Sequence, residues 1–140
     1  MSGLSADTEI GTTLPERTFA VDRAMLVRYA GASGDFNPIH WNERVVSAVG
    51  LPDVIAHGML TMALAGRVVT EWAGDPGAVV EYSVRFTRPV VVPNDDAGTT
   101  VSVTGKVTKR NHDGTLVVTL TATCGGDKVL GAARATVRPR

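Results

Sequence analysis

Apolar and polar positions change rhythm once along the chain, near residue 77. Before that point the spacing is helical or irregular. Met25, Leu26 and Tyr29 recur at helical intervals behind Asp22, a residue suited to an N-cap, which predicts a helix over 23–32. Gly31-Ala32-Ser33-Gly34 ends it. A short helix over 43–49 follows, with Asn42 as cap and Gly50 as stop. From Gly58 to Thr70 the only charge is Arg67, and small residues recur at Gly58, Ala63, Ala65 and Gly66. The helix predicted over 57–72 is therefore apolar nearly all round, and protein must enclose it.

After Asp75-Pro76-Gly77 the period becomes two. Val80, Tyr82, Val84 and Phe86 alternate with Glu81, Ser83, Arg85 and Thr87. Val101, Val103 and Val107 alternate with Ser102, Thr104, Lys106 and Thr108. Beyond the tight turn Asn111-His112-Asp113-Gly114, the residues Leu116, Val118, Leu120 and Ala122 share one face. A last strand over 129–137 follows Gly125-Gly126-Asp127, and residues 13–21 supply one more. A sheet with one apolar face and a helix apolar on all sides satisfy each other when the sheet curls around the helix. The expected class is α+β, one domain over 1–140, a curved antiparallel sheet wrapped around a central helix.

Composition narrows the setting. At 140 residues, 44% hydrophobic and 20% charged, the chain can build one sizeable core. No apolar run approaches the roughly 20 residues of a membrane span, so no membrane partner is expected. The first eleven residues have neither a basic start nor an apolar stretch, which points to a cytoplasmic protein. The single cysteine, Cys124, excludes an internal disulfide and a cysteine-rich zinc site and reads as strand packing. Net charge is zero but uneven. Residues 1–98 carry 7 basic and 12 acidic side chains, and residues 99–140 carry 7 and 2. The basic end suits phosphates or an acidic carrier protein, and equally the solvated faces of strands. Basic and aromatic residues do not interleave, so nucleic acid is not an expected partner.

The strongest chemical signal is the loop Gly34-Asp35-Phe36-Asn37-Pro38-Ile39-His40. Pro38 keeps it out of regular helix, and Asn37 can hold the turn through its side chain. Asp35 and His40 facing one cavity can bind one water and move two protons, as reversible addition of water to a polarised double bond requires. Downstream, His57-Gly58 opens the long helix, whose first N–H groups and positive dipole end can face a carbonyl oxygen. Gly58 lets that oxygen approach closely.

The stretch from Tyr29 through Asp35-Phe36-Asn37-Pro38-Ile39-His40, with Ala56-His57-Gly58-Met59-Leu60-Thr61, resembles the hydratase-2 or MaoC-like dehydratases. The resemblance continues through Phe86 and Pro93-Asn94-Asp95. It is closest to the catalytic beta subunit, HadB type, of actinobacterial (3R)-hydroxyacyl-ACP dehydratases, on Asn37 to Trp41, Gly74 to Ala78 and Tyr82 to Phe86. One position departs: the signature has a small residue six places after His40, and this chain has Val46.

The resemblance implies a hot-dog fold and a reversible hydro-lyase acting on an acyl thioester of CoA or acyl carrier protein, in fatty-acid elongation. Asp35 and His40 would be catalytic. In one division of labour His40 removes the C2 proton and Asp35 assists departure of the C3 hydroxyl; the sequence leaves the division open. Asn37 would orient the pair, and the Gly58 N–H would bind the thioester oxygen. His57 and Met59 join Gly58 as substrate-contact candidates, although a histidine ahead of a buried helix also suits packing or capping. Since the thioester itself acidifies C2, neither metal nor redox cofactor is expected. The implied assembly is a homodimer, or a heterodimer with a related hot-dog subunit, its sheets joined edge to edge. The alternatives are a short-chain (R)-specific enoyl-CoA hydratase of degradation or polyester precursor supply, and a non-catalytic acyl-binding subunit.

Overall fold

The structure, a computed structural model, describes residues 3–140. Strand β1 (Thr13–Val21) runs into helix α1 (Arg23–Ser33). The Asp22 side chain accepts the Met25 N–H at 2.8 Å, and Gly34, at φ +75°, ends the helix by donating its N–H to the Ala30 carbonyl. A side chain at Gly34 would be strained in that left-handed conformation. A 3-10 turn, Pro38–His40, leads to α2 (Glu43–Ala48), where Asn42 caps the N–H groups of Arg44 and Val45. Helix α3 (Gly58–Ala73) follows, then β2 (Val79–Phe86), β3 (Thr99–Arg110), β4 (Leu116–Cys124), β5 (Asp127–Lys128) and β6 (Leu130–Val137).

All strand pairs are antiparallel, in the order β1-β3-β4-β6-β2, with the two-residue β5 added beside β4. Helix α3 contacts β1, β2, β3, β4 and β6, so the sheet wraps it as the alternation predicts. Leu60, Leu64, Ala65, Val68, Val69 and Trp72 are buried on the helix. They join Val101, Val103, Val107, Leu116, Val118, Leu120 and Ala122 in one core. This is the hot-dog arrangement. Small residues on α3 make the closeness possible. A Cβ on Gly66 would lie 3.0 Å from the Tyr82 ring, and the Tyr82 hydroxyl donates to the Met62 carbonyl at 2.6 Å. Burial pushes that phenol up to about 12, so it remains a donor.

Two expectations need adjustment. Val80, Tyr82, Val84 and Phe86 do not form one buried face: Val80 is 49% and Phe86 55% exposed. β2 pairs only with β6 and its register shifts between Val79 and Glu81 and again between Ser83 and Arg85, re-aiming alternate side chains. Opposite the second shift, Ala132 in β6 takes φ +45°, the only non-glycine positive φ among the described residues. The start of the last strand also differs: Asp127, expected in the turn, and Lys128 pair with β4 as β5, while the strand from Leu130 onward pairs with β4 and β2. Val46, the departure from the family signature, is buried in the core from α2, and its carbonyl accepts the Leu51 N–H at 2.9 Å. The larger side chain is thus absorbed by packing.

Truncating the helix side of this core has a defined cost. Leu64→Ala should lower unfolding free energy by about 2–5 kcal/mol, through lost burial and a residual cavity. Urea denaturation with an unchanged m-value checks it.

Candidate active site

The loop from Gly34 to His40 is built by short-range hydrogen bonds. Asp35 Oδ1 accepts the Asn37 N–H at 3.1 Å, and Asn37 Oδ1 accepts the Ile39 N–H at 3.2 Å. Asn37 thereby caps the 3-10 turn that carries His40. Its role is to shape the main chain on which the pair sits. The loop's outer surface is apolar and open: Phe36 is 62% exposed, and Trp41 donates Nε1–H to the Phe36 carbonyl at 2.9 Å.

Longer-range contacts tie the loop to the approach to α3. The Ile55 N–H donates to the Ile39 carbonyl at 3.2 Å, and Ala56 and Val92 exchange main-chain bonds with Val90 and Val54 at 2.8 Å each. Arg23, at the start of α1, reaches the Val92 carbonyl through Nε and Asp53 through Nη2. The loop is therefore held to the body on two sides.

His40 Nδ1 lies 2.7 Å from the Ile55 carbonyl oxygen. A carbonyl can only accept, so Nδ1 carries the proton, and in the neutral ring Nε2 has the free lone pair. Nε2 lies 3.8 Å from Asp35 Oδ2. That separation is too long for a direct hydrogen bond and suits one hydroxyl or water bonded to both. His40 is buried while the Asp35 side chain is 51% exposed. Base and carboxylate thus occupy the inner and outer sides of the same entrance.

A cavity of about 350 Å³ opens beside His40. Ile39, Ile55, Phe86, Val90, Val129 and Leu130 give it apolar walls, and Gly58 and Thr61 bring in the first turn of α3. No side chain caps that helix start. A Cβ on Gly58 would sit 3.1 Å from two Phe86 ring carbons, so only the bare glycine allows Phe86 to close over it.

The other two substrate-contact candidates take different places. Met59 is 57% exposed and points away from the cavity walls. His57 is 1% exposed and does not line the cavity; its ring stacks behind His40 at 3.8 Å between centroids. The resemblance placed both residues beside Gly58 as contact candidates, but helical rotation leaves Met59 exposed and packing seals His57. Asp35, His40 and His57 each offer one ligand atom within 4.8 Å of one another. Both histidines already donate one ring nitrogen to a main-chain carbonyl, and only Asp35 and His40 reach the entrance.

Sequence reasoning did not single out Ile55, Thr61, Phe86 or Arg88 as parts of this site. Ile55 acts through its backbone, which side-chain pattern does not encode. Phe86 ends β2 and Arg88 lies two residues beyond it, next to Pro89, and a strand end close to a proline was the available signal.

A curved sheet around one helix, with an Asp-x-Asn-Pro-x-His loop at its open end, defines a family, and the chain belongs to it. Residues 5–124 match the MaoC like domain. It is 43% identical over 79 residues to the 3-hydroxyacyl-thioester dehydratase X of Mycobacterium tuberculosis, which covers 56% of this chain and 27% of that protein. It is 36% identical over 97 residues to an (R)-specific enoyl-CoA hydratase of Rhodospirillum rubrum, covering 69% of this chain and 63% of the relative. Among solved structures, a MaoC-like dehydratase superposes with a TM-score of 0.93 at 41% identity, over 99% of this chain and 43% of that one. One chain of the ChsH1-ChsH2 complex from Mycobacterium tuberculosis superposes at 0.82 and 27% identity, over 95% of this chain and 99% of its own. The chain spans about a quarter or less of the length of several of these curated relatives, fatty acid synthase beta subunits among them. Among the described residues, no helix is long and apolar enough to cross a membrane.

Gly58→Val would force the Phe86 ring out of its place and crowd the helix start. The expected result is a fall in turnover of at least about 10-fold with an unchanged far-ultraviolet spectrum, toward the loss of an oxyanion donor. Steady-state kinetics check it.

Proposed function

We propose that this chain is the catalytic hot-dog unit of a (3R)-3-hydroxyacyl-thioester dehydratase, working reversibly as a trans-2-enoyl-thioester hydratase in the cytoplasm. The observation that carries this reading is the placement of His40 Nε2, on the ring whose Nδ1 donates to Ile55, 3.8 Å from Asp35 Oδ2, beside an apolar cavity that an uncapped helix start enters.

In dehydration, neutral His40 takes the C2 proton through Nε2, and the electron pair moves into the thioester as an enolate. The Gly58 N–H and the α3 dipole face the oxygen where negative charge builds. The enolate then expels the C3 hydroxyl, which takes a proton from the Asp35 carboxyl and leaves as water. Proton transfer from imidazolium to carboxylate resets the pair. Hydration is the same path reversed. Asn37 supports it by shaping the loop, and no step asks for a metal or redox group.

The thioester carrier would lie over the rim. Arg88 lines the cavity, its side chain is 65% exposed, and its one ionic contact is Asp127 at 3.7 Å, an exposed pair of little strength. Thr87 donates to the Lys128 carbonyl at 3.1 Å, which keeps Lys128 beside the same rim. These cations suit the phosphate of a pantetheine carrier, whether of CoA or of acyl carrier protein. The unpaired edge of β2, with Val80 and Phe86 exposed, suits a second hot-dog unit, identical or related. The enoyl-CoA hydratase among the relatives favours CoA thioesters as a second reading of the carrier. Intact Asp35 and His40 disfavour a purely acyl-binding subunit.

The test is loss of conjugated-thioester absorbance with trans-2-enoyl-CoA of short and long chain. Asp35→Asn and His40→Ala should each cut turnover by about 10²- to 10⁴-fold with the fold retained. An active double variant would falsify the assignment. A separate expectation concerns the carrier: Arg88→Gln should raise KM several-fold for CoA thioesters and leave N-acetylcysteamine thioesters, which lack phosphate, unchanged. Equal effects on both substrates would remove Arg88 from carrier binding.

A further inference from the structure

We infer that His57 is a positioning residue that holds both members of the Asp35–His40 pair at once, one through a hydrogen bond and the other through ring stacking. The inference rests on the acid–base reading of that pair. His57 Nε2 lies 3.1 Å from the main-chain carbonyl of Asp35, so Nε2–H donates there and anchors the loop at the acid. The same ring lies parallel to His40, 3.8 Å between centroids and 23° between planes. Tyr29 of α1 closes its other side edge-on, at 4.7 Å and 62°. His40 is thus pinned through Nδ1 by Ile55 and across its face by His57.

Stability alone does not account for a histidine here. With Nε2 spent as donor, Nδ1 is left as a buried acceptor with no hydrogen-bond partner among the described residues. Sealing an imidazole with one unpaired nitrogen costs free energy that an apolar residue of similar shape would avoid. What the imidazole supplies in return is a donor and a flat face in one rigid group, aimed at two different residues of the site.

The groups facing the ring are Asp35, His40 and Tyr29. Burial is the largest influence on His57 and lowers its pKa; the Asp35 carbonyl acts against it, His40 adds to it, and the Asp35 carboxylate again opposes. His57 therefore stays neutral where His40 works. A proton taken by His40 then rests against a neutral ring, and a second cation stacked at this distance would expel it. The linkage has a matching sign. The unfolded chain binds a proton at this histidine near pH 6.5 and the folded chain resists it, so the contribution is full above that pH and is lost as pH falls toward the lowered value.

Two variants separate the two contacts. His57→Phe keeps an aromatic face without a donor, and His57→Gln keeps a donor without a ring. Each should lower kcat by about 10- to 100-fold, the scale of a sub-ångström misplacement, with KM for the enoyl thioester within about twofold, because neither change touches a cavity wall. The His57→Phe protein should unfold at no lower urea concentration than the parent near pH 7.5 and lose less stability on acidification. Imidazole nitrogen shifts in the unmodified protein should report His57 as the Nε2–H form when neutral, taking up a proton only at lower pH than an ordinary histidine, with His40 as the Nδ1–H form when neutral. A folded His57→Phe with unchanged kcat would overturn the inference, as would a raised KM at unchanged kcat or a neutral His57 in the Nδ1–H form. Should the parent protein fail to hydrate any enoyl thioester, the acid–base reading fails instead. The nitrogen shifts would still decide the geometry of His57, and amide shifts over residues 35–40 in the two variants would decide whether it holds the loop.

Discussion

The hydrogen bond from His40 Nδ1 to the Ile55 carbonyl, 2.7 Å long, joins chain segments that are separately assembled. Ile39 to His40 belongs to a loop shaped by its own Asx turns, while Ile55 belongs to a stretch bridged to Val91 and running directly into α3. Because a carbonyl accepts and cannot donate, this one contact selects the imidazole tautomer and orients the basic nitrogen outward. Everything chemical at the site presumes it. Moving the approach to α3 would rotate the ring and move the helix start together, so the imidazole and the helix start are positioned by one rigid connection.

That connection depends in turn on how tightly sheet and helix close. Ala65 and Val69 are fully buried on α3, and Gly66 admits the Tyr82 ring at a distance that a larger residue would widen. The inner strands β3 and β4 provide an almost uninterrupted row of valine and leucine against the helix. β2, by contrast, lies at the edge with two register shifts, and it supplies an exposed wall of the cavity at Phe86. Regular pairing is concentrated where the helix is held, and irregular pairing where the cavity opens.

Local chemistry made much of this legible in the sequence. Asp22 and Asn42 cap their helices through atoms two or three residues away, and Gly34 ends α1 because its backbone takes a left-handed conformation. The alternation in β3 up to Val107 and in β4 corresponds to their burial, since the β3–β4 register is unbroken from Val101 to Val107 and shifts only beyond it, between Val107 and Lys109. Asp35 and His40 meet as their loop suggests, and Gly58 faces the cavity. What escaped was set by contacts distant in sequence. The apolar face expected for β2 dissolves at its bulges, which shift side chains by one position and leave no mark in composition. Met59, a candidate from the resemblance, stands exposed on the helix. His57 carried the right clue: a residue opening a helix apolar on all sides must be nearly as buried as the helix. Its stacking on His40 required knowing how the loop folds back.

The difference in exposure between His40 and Asp35 would give proton traffic in the proposed reaction a direction. His40 is 7% exposed and backed by another ring, whereas the Asp35 carboxylate stands half in solvent. On that reading a hydrogen taken from C2 would be held on the sheltered side, away from bulk water, while the hydrogen leaving with the hydroxyl would pass through a group open to exchange. An isotope at C2 could then return to the carbon it left before it is washed out, and one on the hydroxyl could not keep its label. Two protons that the overall reaction, written as loss of water, makes indistinguishable would thus have different fates.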